Sequence, residues 1–189
     1  AMTLTGAKSI REISHDSLVQ NAEALQTFDA LKQNKDSNGQ FSIQVSQSVL
    51  EKAGVSLSEA YEHAVENVKK KTEIIPMWKM LEETGYPIDL RELNIQLLVV
   101  TIDSMHYGAG TLVNSEVLRE VSEKIGGDYV VLPSSIHEWI AHPYHEDELP
   151  MYKAMVEDVN RTEVSLEERL SNSIYHYDAA RGSLEVVSV

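Results

Sequence analysis

Between residues 14 and 32 the apolar side chains Leu18, Ala22, Leu25, Phe28 and Leu31 recur at the spacing of one helical face, and this pattern predicts a first helix. The polar run QNKDSNGQ, with its turn-prone Asn38-Gly39, ends that pattern. FSIQVS then alternates as a short strand would. SQSVLEKAG reads as a short helix closed by Gly54, and Ser56 with Glu59 forms a capping box ahead of an amphipathic helix through Lys70.

Beyond Lys71 the periodicity changes. Pro76 interrupts the pattern and ETGYP marks a turn, which leaves a short helix near Met77 to Glu83. LNIQLLVVTI, residues 93 to 102, ends in a continuous β-prone apolar run that suits a central strand covered on both faces. Gly108 to Val113 reads as a second strand, and Asn114 or Ser115 caps a helix that stops at Gly126-Gly127. Asp128 to Leu132 and Ile136 to Ala141 read as two further strands, antiparallel across the Pro133-Ser134-Ser135 turn.

Glu146 to Asn160 reads as a helix with Leu149, Tyr152, Met155, Val156 and Val159 on its apolar face and Glu146, Glu157 and Asp158 projecting to the other side. Ser165 and Glu168 supply a second capping box for a short helix, and SIYHYD and SLEVV flank AARG as a terminal hairpin. The expected class is α+β: a mainly antiparallel sheet of about five or six strands packed with helices, the N-terminal third being helical. No repeat or linker calls for a second domain, so residues 1–189 are expected as one, with 1–40 a helical extension and 41–189 the core.

Composition narrows the function classes. A chain of 189 residues can bury a sizeable core, and it has no cysteine for disulfides, thiolate metal sites or a thiol nucleophile. The first residues lack the basic and apolar regions of a signal peptide and no apolar run spans a bilayer, so a cytoplasmic protein is expected. The net charge of -14 is unevenly spread: residues 1–70 hold 9 acids and 7 bases, whereas residues 137–189 hold 11 and 4. Such a field repels phosphate backbones and attracts basic protein surfaces, so neither nucleic acid nor membrane is an expected direct partner.

SSIHEWIAHPYHEDE holds the densest candidate chemistry. A zinc hydrolase needs HExxH because residues four apart share a helix face, but His137 and His142 are five apart. That spacing puts them about 140° apart on a helix and on opposite faces of a strand. His142, His145 and Glu146 lack a further spaced ligand, so neither metal nor cofactor is expected. His106 and His176 would need a partner supplied by the fold, and alternation places Tyr175 with Tyr177 on one side of a strand and His176 with Ile174 on the other. GAG at 108–110 lacks a third glycine, and Ser134 and Ser135 lie in a PSS turn, not a nucleophile elbow.

VLPSSIHEWI, YGAGTLVNSEVLREVSEKIGGDY and MVEDVNRTEVSLEERLSNSIYHYD resemble the family called domain of unknown function 5688, found in gut-associated Firmicutes. The resemblance is good from about Thr111 to Asp178, looser through VLEKAGVSLSEAYEHAVEN, and weakest before Phe41. It implies a bacterial cytoplasmic protein and no known activity. The expected function is a non-enzymatic interaction module whose Glu146, Asp147, Glu148, Glu157, Asp158, Glu167 and Glu168 meet a basic partner, with an anti-CRISPR type inhibitor of a nuclease, carried by phage or mobile elements, as its most concrete form. The rival readings are an enzyme or small-ligand protein using His106, His137 or His142, and a structural module that forms a homodimer.

Overall fold

The computed structural model describes residues 46–83, 85 and 96–188; the expected first helix, the polar loop after it and residues 41–45 of the FSIQVS strand lie outside the described residues. The chain divides into two compact units, Ala1–Lys70 and Lys71–Val189.

In the first unit, α1 (Gln47–Ala53) ends at Gly54, whose φ of 67° places it in the left-handed region as a helix stop requires. The capping box forms: Glu59 N–H donates to Ser56 Oγ at 3.2 Å and Ser56 N–H to Glu59 Oε2 at 3.0 Å. These bonds satisfy otherwise orphaned donors at the start of α2 (Leu57–Lys71), which buries Ala60, Ala64 and Val68 along one face.

The second unit is a six-stranded antiparallel sheet with helices, in the order β1-β2-β4-β3-β5-β6. Its strands are β1 (Thr72–Pro76), β2 (Leu98–Ile102), β3 (Tyr129–Pro133), β4 (Trp139–Pro143), β5 (Tyr175–Asp178) and β6 (Ser183–Val186). β1 was not expected, because Pro76 was read as an interruption. On an edge strand a missing N–H is tolerated, and Pro76 closes β1 opposite Leu98 before α3 (Met77–Glu83).

The apolar runs of β2 and β3 are buried at every position, and on β3 helices cover both faces. On one face Leu98, Val100, Tyr129, Val131, Trp139, Ala141 and Tyr177 pack with Val117, Leu118 and Val121 of α4 (Ser115–Ile125). On the other, Val130, Leu132 and Ile174 pack with Leu149, Tyr152 and Val156 of α5 (Leu149–Thr162). Asn114 caps α4 by accepting from Glu116 N–H and Val117 N–H, and Gly126, at φ 96°, stops it.

Four expected elements differ. Gly108–Val113 is a 3-10 helix, not a strand, because Thr111 Oγ1 donates to Gly108 O at 2.7 Å and Gly108 presses onto Thr101 and His137. The fourth strand begins at Trp139, not Ile136: Ser134 and Ser135 hydroxyls donate to Glu138 Oε1 at 2.8 and 2.9 Å, and such local bonds compete with a ladder. Ser165 and Glu168 bond as expected, but Glu168 O accepts Ile136 N–H instead of continuing a helix, so the segment is a single turn. In α5 the buried positions are Leu149, Tyr152, Val156 and Asn160, leaving Met155 exposed; Glu146–Glu148 form a separate 3-10 turn.

The β5–β6 hairpin is tied to β3 by Asp128, whose carboxylate accepts Ala179 N–H at 3.0 Å and His176 Nε2–H at 2.9 Å. These bonds, the backbone one first, hold the Asp128 carboxyl below its ordinary range. A folded-state value below the unfolded one stabilises the fold above about pH 4, and that contribution disappears as pH falls through the folded value. Asp128→Asn is therefore expected to cost about 1 kcal/mol at neutral pH, the site being partly exposed, and to flatten the acid limb of stability. Urea unfolding at pH 7 and pH 3 checks this; equal losses at both would contradict it.

Candidate functional site

At one end of the sheet, where β2 and β3 finish and β4 and β5 begin, three segments distant in sequence meet. The loop 103–107 brings His106 and Tyr107 against His137, with ring centroids 5.2 and 5.6 Å apart. The turn after Ser165 brings Glu168 Oε1 to 3.5 Å from His137 Nε2 and Glu168 O to 2.8 Å from Ile136 N. LPSSIHE and SLEERLSN thus meet in space. Met105 and Tyr107 adopt left-handed φ values of 56° and 60°, uncommon for side-chain-bearing residues and sustained by the surrounding bonds.

The protons decide what this cluster can do. Tyr107 N–H donates to His137 Nδ1 at 3.1 Å, so Nδ1 is the bare nitrogen and Nε2 of the neutral ring carries hydrogen. His106 Nδ1 lies 2.9 Å from Ser104 O, which only accepts, so its hydrogen is on Nδ1 and its Nε2 is the open lone pair. A histidine that holds a metal donates its other N–H outward; His137 accepts there instead. His106, His137 and Glu168 therefore cannot present three lone pairs to one ion without breaking the Tyr107 bond. Among the described residues no group of three or more His, Asp or Glu is placed to hold a metal.

A buried polar chain supports this end. Thr101 Oγ1 donates to His137 O at 2.8 Å, and Trp139 Nε1–H donates to Thr111 Oγ1 at 2.7 Å. Thr101, Thr111 and Trp139 are fully buried, so His137 is fixed by its carbonyl as well as its ring. These bonds make His137 a bracket between loops.

His142 does not join that pair. On β4 it follows Ala141 and turns to the α5 face, where its Nδ1 lies 2.8 Å from Pro143 O and 2.9 Å from Tyr152 Oη. Tyr152 O–H donates to Glu148 Oε2 at 2.7 Å. Burial, then the Glu148 hydrogen bond, push the Tyr152 phenol well up, so it stays a neutral donor. Of the three histidines singled out, the fold brings two together and holds the third elsewhere.

The seven acidic residues fall into three groups. Glu146 and Asp147 are exposed in the 3-10 turn ahead of α5, while Glu148 is half-buried against Tyr152. On α5, Glu157 pairs with Lys153 at 2.6 Å and Asp158 pairs with Arg161. Glu167 and Glu168 are exposed at the other end of the sheet, Glu168 facing His137. Among the described residues, Glu146, Asp147 and Glu167 are the members of this set without a bonded counter-group. Sequence pattern missed this division because Lys153 and Arg161 neutralise their neighbours, although the four- and three-residue spacings carry that signal.

A model of a family of unknown function, DUF5688, matches residues 20–179. The chain belongs to that family. The DUF5688 match takes in both segments that converge on His137 and begins well before Phe41, where the resemblance was weakest. It stops at Ala179, so β6 lies beyond it. No solved structure matches the chain. No helix among the described residues is long and apolar enough to cross a membrane.

Proposed function

We propose that this DUF5688 chain is a non-enzymatic interaction module that holds a basic protein surface through acidic side chains of its C-terminal part. The observation that carries this is the excess of 11 acids over 4 bases in residues 137–189, with Glu146, Asp147 and Glu167 exposed and unneutralised. The Tyr107 N–H that occupies His137 Nδ1 leaves the hydrogen of the neutral ring on Nε2, which weighs against general-base chemistry at that residue. An inhibitor of a nuclease, competing with nucleic acid for a basic groove in the manner of an anti-CRISPR protein, is the most concrete form of this reading.

The seven acids are not equal in it. Glu146→Lys with Asp147→Lys and Glu167→Lys is expected to reduce capture of a basic partner by about tenfold or more, each removed attraction being of rim type. Glu157→Lys, whose charge Lys153 already offsets, is expected to change capture far less. Quantitative pull-down with the two variants tests the ranking. Undiminished capture by the triple variant would overturn the proposal.

A further inference from the structure

The apolar face of α5 is wider than the strip the sheet covers. Leu149, Tyr152 and Val156 pack inward, whereas Met151 and Met155, one helical turn apart, are 54% and 44% exposed. They form an outward strip on a helix held firmly by its opposite face. Glu146 and Asp147 lie about one turn before Met151, and Asp158 follows Met155 by three residues. An apolar strip with acids at its ends is complementary to a helix bearing apolar residues at a three-to-four spacing and flanked by Lys or Arg.

We propose that the Met151–Met155 strip is the seat for one basic amphipathic helix of a partner protein, a proposal that rests on the acidic-module reading above and names the partner's form. Methionine suits the role because its unbranched, polarisable side chain adapts to another helix's contour. Asp158 is paired with Arg161 while Glu146 and Asp147 are not, so the partner's densest positive charge lies over the N-terminal end of α5. A second copy of this chain is the poorer occupant, because it carries a net charge of -14 and offers the unpaired Glu146 and Asp147 no excess of Lys or Arg.

The probe is a labelled synthetic helix with leucine at helical spacing and lysine elsewhere, titrated into the full chain by fluorescence anisotropy. A lysine–serine peptide of equal charge and a glutamate–leucine peptide of equal apolarity serve as comparisons. The lysine–leucine peptide is expected to bind most tightly, and Met151→Ser with Met155→Ser to weaken it about tenfold or more. Met151→Leu with Met155→Leu should restore binding, and circular dichroism should show all variants folded, since both positions are exposed. If the serine pair leaves binding unchanged while charge reversal at Glu146 and Asp147 reduces it, the docking seat is wrong and the acidic reading stands. If neither change matters, both fail. A doubled mass in light scattering that the serine pair abolishes would make a second copy the occupant and overturn the proposal.

Discussion

Gly108→Ala is expected to destabilise the sheet unit by about 3 kcal/mol or more, near the upper end for overpacking a filled site. A Cβ at Gly108 would lie 2.6 Å from Thr101 Cα and closer still to Thr101 Oγ1 and His137 O. Two of those three atoms belong to backbone, in β2 and in the turn before β4, so no side-chain rotation relieves the contact. Any shift would also break the 2.8 Å bond from Thr101 to His137 O and loosen the Tyr107–His137 contact. In thermal unfolding this is a fall of about 6 to 12 °C for a chain of this size. A midpoint unchanged within a degree would mean that the 3-10 segment is free to move off the sheet.

The second large effect is at Trp139. Its ring is fully buried, lies 6.2 Å from Tyr129 in a stacked arrangement, and donates its N–H to Thr111. Trp139→Ala removes a large core side chain and is expected to cost about 4 kcal/mol. Trp139→Phe keeps most of the ring volume and is expected to cost about 1 to 3 kcal/mol, because it leaves polar Thr111 Oγ1 buried without that donor. Thr111→Val in the Trp139→Phe background should then cost less than it does alone, a coupling that urea denaturation of the double-mutant cycle measures. Additive losses would show that the indole N–H contributes nothing beyond packing.

These two positions show where sequence reading succeeds and where it stops. LVVTI announces a strand buried on both faces because its apolar run does not alternate with polar residues, and every position of it is buried; YVVLP is the strand that α4 covers on one face and α5 on the other. Local signals with local causes also hold: Asn114 at a helix start, Gly54 and Gly126 at helix ends, the Ser56–Glu59 box. The sequence-local reading fails where a distant bond decides. Nothing near Ser165 says that Glu168 O is taken by Ile136, and nothing near Gly108 says that His137 O presses on it. The His106–His137 meeting is of this kind, as it joins residues 31 apart through loops rather than through a shared periodicity. Pro76 misled in the other direction, since a proline that ends an edge strand looks the same in sequence as one that breaks an element.

The acidic reading was legible as a count and not as an arrangement. Glu157 and Asp158 project from the exposed face of the helix as expected, yet Lys153 and Arg161 on the same helix offset them. Among the described residues, the acids of this set without a bonded partner are instead Glu146, Asp147 and Glu167, on turns outside α5. Turns present such side chains without the intrahelical spacing that would supply counter-ions.

The most direct measurement is capture from a bacterial lysate on the immobilised full chain, followed by mass spectrometry of what elutes as salt is raised. Screening shortens from about 10 Å at 0.1 M to about 3 Å at 1 M, so partners held by exposed charge leave across that range. Basic proteins are expected to be enriched, to elute with salt and to be depleted on the Glu146→Lys, Asp147→Lys, Glu167→Lys variant. Partners of no charge preference, retained at high salt and equally by the variant, would contradict it.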